Sequence, residues 1–121
     1  MIKSIDGKQV EALMESEATC ILNIVTAWCG DCTKQAESIN LFASHFIVKG
    51  ISVYEVNVQN ERNQFLSPEL AALTDSLGGP GYPRTVLIQN GKVVDADNVE
   101  VISKEQLAAL ADKFQQQLHF S

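Results

Sequence analysis

Apolar positions along this chain switch repeatedly between an every-other-residue pattern and a helical period, and the switches mark out its elements. Residues 2–5 have the character of a short edge strand. Asp6 then reads as a helix N-cap, because Gln9 stands three residues on and Ile5 and Val10 are placed as a hydrophobic staple. Val10, Leu13 and Met14 supply the buried stripe of that helix. The run Ile21-Leu22-Asn23-Ile24-Val25 predicts a central strand over residues 19–27. Beyond it Ala36, Ile39, Ala43, Phe46 and Ile47 recur at helical spacing, and Lys49-Gly50 closes what reads as one long helix with a cation and a terminal glycine.

Residues 51–58 alternate as a strand, and the polar stretch 59–64 reads as a loop. Ser67-Pro68-Glu69 opens another helix, since serine caps, proline suits the first turn and glutamate meets the positive end. Leu70, Leu73 and Leu77 line its face and Gly78 stops it. Residues 85–89 and 92–96 flank Asn90-Gly91, a strong hairpin signal. Ser103 and Gln106 form a last capping box, with Ile102 and Leu107 as its staple and Leu110, Ala111, Phe114 and Leu118 as its stripe. The predicted order is β-α-β-α-β-α-β-β-α, an α/β domain with one mixed central sheet flanked by helices on both faces. No repeat, low-complexity tract or linker divides residues 1–121, so a single domain is expected.

Composition narrows the function. Nine Lys and Arg against fifteen Asp and Glu leave a net charge of −6, which argues against nucleic acid as a partner because such binding draws on clustered basic residues. No apolar run approaches the ~20 residues of a membrane span. The opening Met1-Ile2-Lys3-Ser4-Ile5-Asp6 has no apolar signal region, so a reducing cytoplasm is the expected setting. There a close cysteine pair is more often catalytic than structural. A monomer is expected.

The chemistry lies in Trp28-Cys29-Gly30-Asp31-Cys32, where the central strand passes into a helix. Cysteines three positions apart can exchange a disulfide between themselves and with a partner, and only the thiolate attacks. At a helix N-terminus a thiolate meets unpaired N–H groups and the positive end of the macrodipole. Zinc would need about four ligands, and the remaining Cys20, His45 and His119 make no second ligand pair, so no metal is expected. A structural Cys29–Cys32 link would close too short a loop to restrain much unfolded chain. Cys20 reads as a small buried hydrophobe.

These residues resemble the thioredoxin family over nearly the whole chain. The resemblance rests on Trp28-Cys29-Gly30-Asp31-Cys32, on Gly81-Tyr82-Pro83, and on Asn90-Gly91 beyond that proline. It implies the thioredoxin fold, a cis-proline at Pro83 facing the dithiol, Cys29 as nucleophile at an exposed first position, and Cys32 as the more buried resolving thiol. It further implies substrate contacts from Trp28, Gly30, Asp31, Tyr82, Pro83 and Arg84, disulfide-containing protein substrates, and a thioredoxin reductase as electron donor. No cofactor is implied beyond the redox-active Cys29–Cys32 pair itself.

Departures from the family matter as much. The family's buried aspartate six positions before the first cysteine is Asn23 here, and its nearby lysine is Glu55, so Asn23 and Glu55 become candidates for handling the proton of Cys32. Glu55 could equally point to solvent. Asp31 replaces the usual proline and opposes the thiolate by its charge. Glu37 replaces the proline that kinks the family's helix, Tyr82 replaces a small aliphatic residue, and 59–77 is longer than usual. Arg84 would either stabilise the thiolate or read acidic substrates, or else be an exposed strand-end arginine. Two function classes remain: a thiol–disulfide oxidoreductase, or an adaptor of the same fold whose dithiol is incidental.

Overall fold

In the computed structural model, which describes residues 2–118, five strands run in the order β1-β3-β2-β5-β6, and a sixth, β4, adds to β3. They are β1 (Lys3–Ser4), β2 (Cys20–Thr26), β3 (Ser52–Glu61), β4 (Gln64–Phe65), β5 (Arg84–Gln89) and β6 (Lys92–Val99). The helices are α1 (Gly7–Glu15), α2 (Gly30–Ala36), α3 (Ile39–Ile47), α4 (Pro68–Ser76) and α5 (Lys104–Gln117). Met1 and His119 lie outside the described residues.

β1 and β2 both run parallel to β3, whereas β5 is antiparallel to β2 and β6 to β5. The result is the mixed sheet expected from the alternation of periods. Its two faces bury different sets: Leu22, Ile24, Val56 and Val86 pack with Val10 and Leu70 of α1 and α4. Ile21, Val53 and Leu87 pack with Phe42, Phe46 and Phe114 of α3 and α5. β2 is buried along its whole length, as a strand covered on both faces must be.

The caps form as their chemistry requires. Asp6 and Gln9 make reciprocal bonds of 2.8 and 3.0 Å, Ser67 accepts from Leu70 N–H, and Ser103 and Gln106 close the last box. Asn90 and Gly91 both take positive φ, the primed turn that matches strand twist. A Cβ at Gly91 would collide with the Met14 carbonyl, so the turn also admits close approach of α1.

Two expectations change. The single long helix is two, broken at Glu37 and Ser38 without a proline. Ser38 N–H bonds Gln35 O at 2.9 Å and Glu37 N–H bonds Lys34 O at 3.2 Å, tightening the end of α2 into a shorter-range turn. The hydrophobic period runs unbroken through this point, so it carried no sign of the break. The stretch 59–64 is no loop: β3 continues through it and returns as β4, pairing Gln59 with Phe65 and Glu61 with Gln64. Asn63, at φ 63°, provides the left-handed turn residue that asparagine tolerates. Asn57 and Gln59 side chains accept from the amides of Gln59 and Asn63. A polar hairpin of this kind shows no apolar alternation to read.

Candidate active site

The C-terminal end of β2 delivers Trp28 and Cys29 to the start of α2. Cys29 is the N-cap, and its Sγ stands where a capping oxygen would, accepting the Cys32 N–H at 3.1 Å. An anionic sulfur there gains a charge-assisted hydrogen bond and the helix dipole. On its other side the Cys29 thiol donates to the Tyr82 carbonyl at 3.7 Å. The Tyr82–Pro83 peptide is cis, as the resemblance implied, and the Pro83 carbonyl accepts from Glu100 N–H at 2.8 Å. All three cysteines are free thiols.

Cys29 is not the exposed member of the pair: 7% of its surface is accessible against 8% for Cys32. Trp28 and Tyr82, edge to face at 6.0 Å, flank it. The two sulfurs differ in direction. Cys29 lines an outer groove of about 490 Å³ with Trp28, Gly30, Asp31 and Tyr82. Cys32 lines a separate cavity of about 250 Å³ with Asn23, Gln35 and Glu55. Burial and a hydrogen bond with Cys29, against a smaller opposing contribution from the Thr26 backbone, push the Cys32 thiol up to about 12. Burial alone pushes Cys20 to about 11, in keeping with an inert core thiol.

The position of the family's buried acid is filled by a neutral network. Asn23 Nδ2 donates to Gln35 Oε1 at 2.7 Å, Thr85 Oγ1 donates to Asn23 Oδ1 at 3.2 Å, and Gln35 Nε2 donates to Val101 O at 2.9 Å. Asn23 thus uses both its Nδ2 and its Oδ1 in this network, and a neutral amide is no base. Glu55, directly opposite Asn23 in register, is half-buried and accepts from Ser4 Oγ at 2.9 Å. Among the described residues it supplies the one carboxylate lining the Cys32 cavity.

Arg84 departs from both readings made of it. It is buried, with Nη1 donating to Ala96 O at 2.7 Å and Nη2 to Gly79 O and Pro80 O at 3.1 and 3.4 Å. These three bonds tie its guanidinium to backbone carbonyls, so it braces the glycine-rich loop before the cis-proline and neither lines the Cys29 groove nor lies exposed. The loop makes room for it: a Cβ at Gly78 would come within 2.9 Å of Nη1.

Several residues escaped sequence reasoning. Gln59 Oε1 accepts from Trp28 Nε1 at 3.0 Å and from Asn63 N–H at 3.1 Å, pinning the indole to the β3–β4 hairpin. Arg62, Asn63 and Phe65 of that hairpin, and Glu100 beyond β6, complete the groove. Nothing in their local pattern marks them. Gln35 did leave a signal, as a polar residue in the apolar stripe between Cys32 and Ile39. Among the described residues no group of three His, Cys, Asp or Glu side chains is placed to hold a metal ion, and no helix is long and apolar enough to cross a membrane.

No protein-family model and no curated protein matches the sequence. Solved structures do match in shape. The thioredoxin of Fasciola hepatica is 18% identical, covering 97% of this chain and 100% of its own, with a TM-score of 0.68. The thioredoxin of Malassezia sympodialis is 16% identical over 93% of this chain and 92% of its own, also at 0.68. The oxidised thioredoxin of Plasmodium falciparum is 17% identical over 94% and 98%, at 0.67. With strand order, cis-proline and dithiol placed as described, the chain has the thioredoxin fold.

Proposed function

We propose that this protein is a thiol–disulfide oxidoreductase that reduces disulfides of other proteins. The observation that carries the reading is the position of Cys29 Sγ, held between the Cys32 amide and the Tyr82 carbonyl and opening on the outer groove. The Cys29 thiolate attacks one sulfur of a substrate disulfide, forming a mixed disulfide and expelling the other sulfur as thiolate. Cys32 then loses its proton, attacks Cys29 Sγ and releases the second substrate sulfur, which leaves the Cys29–Cys32 disulfide. The substrate gains two electrons and the pair loses two. A reductase dithiol would return them.

The raised proton affinity of Cys32 makes its deprotonation the demanding step. Glu55, through the shared cavity, serves as the general base for it. Its half-open position gives the proton an exit to solvent. Trp28 and Tyr82 offer apolar surface beside the attacking sulfur, and the cis-proline loop offers backbone for strand-like pairing with the substrate.

The test is reduction of insulin disulfides by the full-length protein, with dithiothreitol and then with a thioredoxin reductase and its reductant. Turnover with dithiothreitol that Cys29→Ser removes supports the reading. No turnover with either donor overturns it and favours the adaptor alternative. Turnover with dithiothreitol alone would retain the activity and exclude that class of donor.

A further inference from the structure

The groove at Cys29 carries its charges on separate rims. On the hairpin rim the Arg62 guanidinium carbon lies 4.5 Å from the centre of the Trp28 ring, a cation–π placement. Its platform is fixed, because Gln59 bonds both the indole and the hairpin turn. Arg62 is exposed and, among the described residues, is the one cation lining the groove. Lys113–Asp95 is the ion pair found among the described residues, which leaves Arg62 without a carboxylate. Asp31 at the start of α2 and Glu100 beside the cis-proline loop supply negative charge on the remainder of the groove.

We infer that Arg62 is a specificity residue, and that the groove selects substrate polypeptides bearing an acidic side chain on the hairpin side of the reacting disulfide. The inference rests on the oxidoreductase reading. In a chain of net charge −6 the general field repels acidic partners, so a single pre-positioned cation beside the nucleophile sets where a carboxylate can sit. A guanidinium held over an indole face still has N–H groups to offer a carboxylate. The same carboxylate placed towards Glu100 or Asp31 meets like charge. The groove therefore discriminates both the sign of the flanking charge and its side.

The experiment uses synthetic peptides with one intramolecular disulfide, differing only in a Glu, Gln or Lys placed either before or after the cysteine pair. Oxidation of the pre-reduced full-length protein is followed in a single turnover. At low salt the Glu peptide of one placement reacts about two- to fivefold faster than its Lys counterpart, the range of one exposed ion pair. The preference fades near 1 M salt, where the Debye length is about 3 Å. Arg62→Glu reverses it, and Arg62→Lys keeps its sign. Equal Glu and Lys rates at both placements overturn the inference, as does a preference that survives Arg62→Glu. If no peptide is reduced, the Gln form included, the oxidoreductase reading falls and this specificity with it.

Discussion

The two sulfurs of the active pair are almost equally covered, yet they occupy opposite chemical situations. Cys29 opens on a wide groove lined by Trp28, Phe65, Tyr82 and charged side chains of both signs, and its sulfur caps a helix. Cys32, one turn on, faces a cavity half that size, lined among the described residues by apolar side chains, neutral amides and the Glu55 carboxylate. Accessible area thus does not distinguish the two thiols. What separates them is the direction each sulfur faces and the groups that would stabilise its anion. The two environments are separated across the first turn of one short helix.

The largest expected effect comes from removing either sulfur. Cys29→Ser should bring insulin reduction to the background rate. Cys32→Ser should still attack but stall, and mass spectrometry should find the trapped substrate on Cys29. A trapped partner on Cys20 would break the comparison outright.

Alkylation kinetics against pH sharpen it next. A thiol of pKa about 12 is only about one part in 10⁵ ionised at pH 7, and one of about 11 about one part in 10⁴. Both thiolate fractions rise tenfold with each pH unit below those values. Iodoacetamide at pH 7 should therefore label Cys29 first, with Cys32 and Cys20 emerging only as pH is raised. Simultaneous labelling of Cys29 and Cys32 at pH 7 would count against the two environments as described.

Glu55→Gln should slow release of the mixed disulfide by at least about tenfold, a conservative figure for general-base catalysis. First attack by Cys29 should be nearly unaffected, because Glu55 lies on the cavity side. Rapid-quench measurement of both phases checks this, and equal release rates would refute the role.

Arg84→Ala should destabilise the fold by about 1–3 kcal/mol, since three backbone carbonyls lose their donor. Denaturant unfolding measures it. Groove chemistry should suffer more than cavity chemistry, because the loop that Arg84 braces carries Tyr82 and Pro83. Asp31→Asn is the smallest change: with one negative charge removed near both sulfurs, Cys29 alkylation should accelerate about two- to fivefold at low salt. The gain should shrink as salt is added.

The features legible along the chain share a local cause. Capping boxes at Asp6 and Ser103, the proline-led start of α4 and the Asn90-Gly91 turn are set by residues within a few positions of one another. The sheet strands and the stripes of α1, α4 and α5 follow from periodicity. So does the junction that puts a dithiol at a helix start. The break at Glu37 and Ser38 left no mark in the apolar period, and the 59–65 hairpin left none because its polar side chains bond backbone where others would bury carbon.

Arg84 shows the limit most plainly. By its neighbours it reads as a strand-end cation beside the active-site loop. Only the fold brings the carbonyls of Gly79, Pro80 and Ala96 around it and turns a candidate substrate contact into a brace. Glu55 shows the converse, since its place in the register opposite Asn23 puts a carboxylate at the Cys32 cavity. The sequence by itself determined most of the elements, their order and the place of a dithiol at a helix start, because those depend on short-range spacing and on intrinsic side-chain chemistry. The tertiary structure alone decided which way each sulfur faces, what replaces the buried acid, and that a distant hairpin forms a groove wall. Those depend on contacts between residues far apart in the chain, which no local pattern encodes.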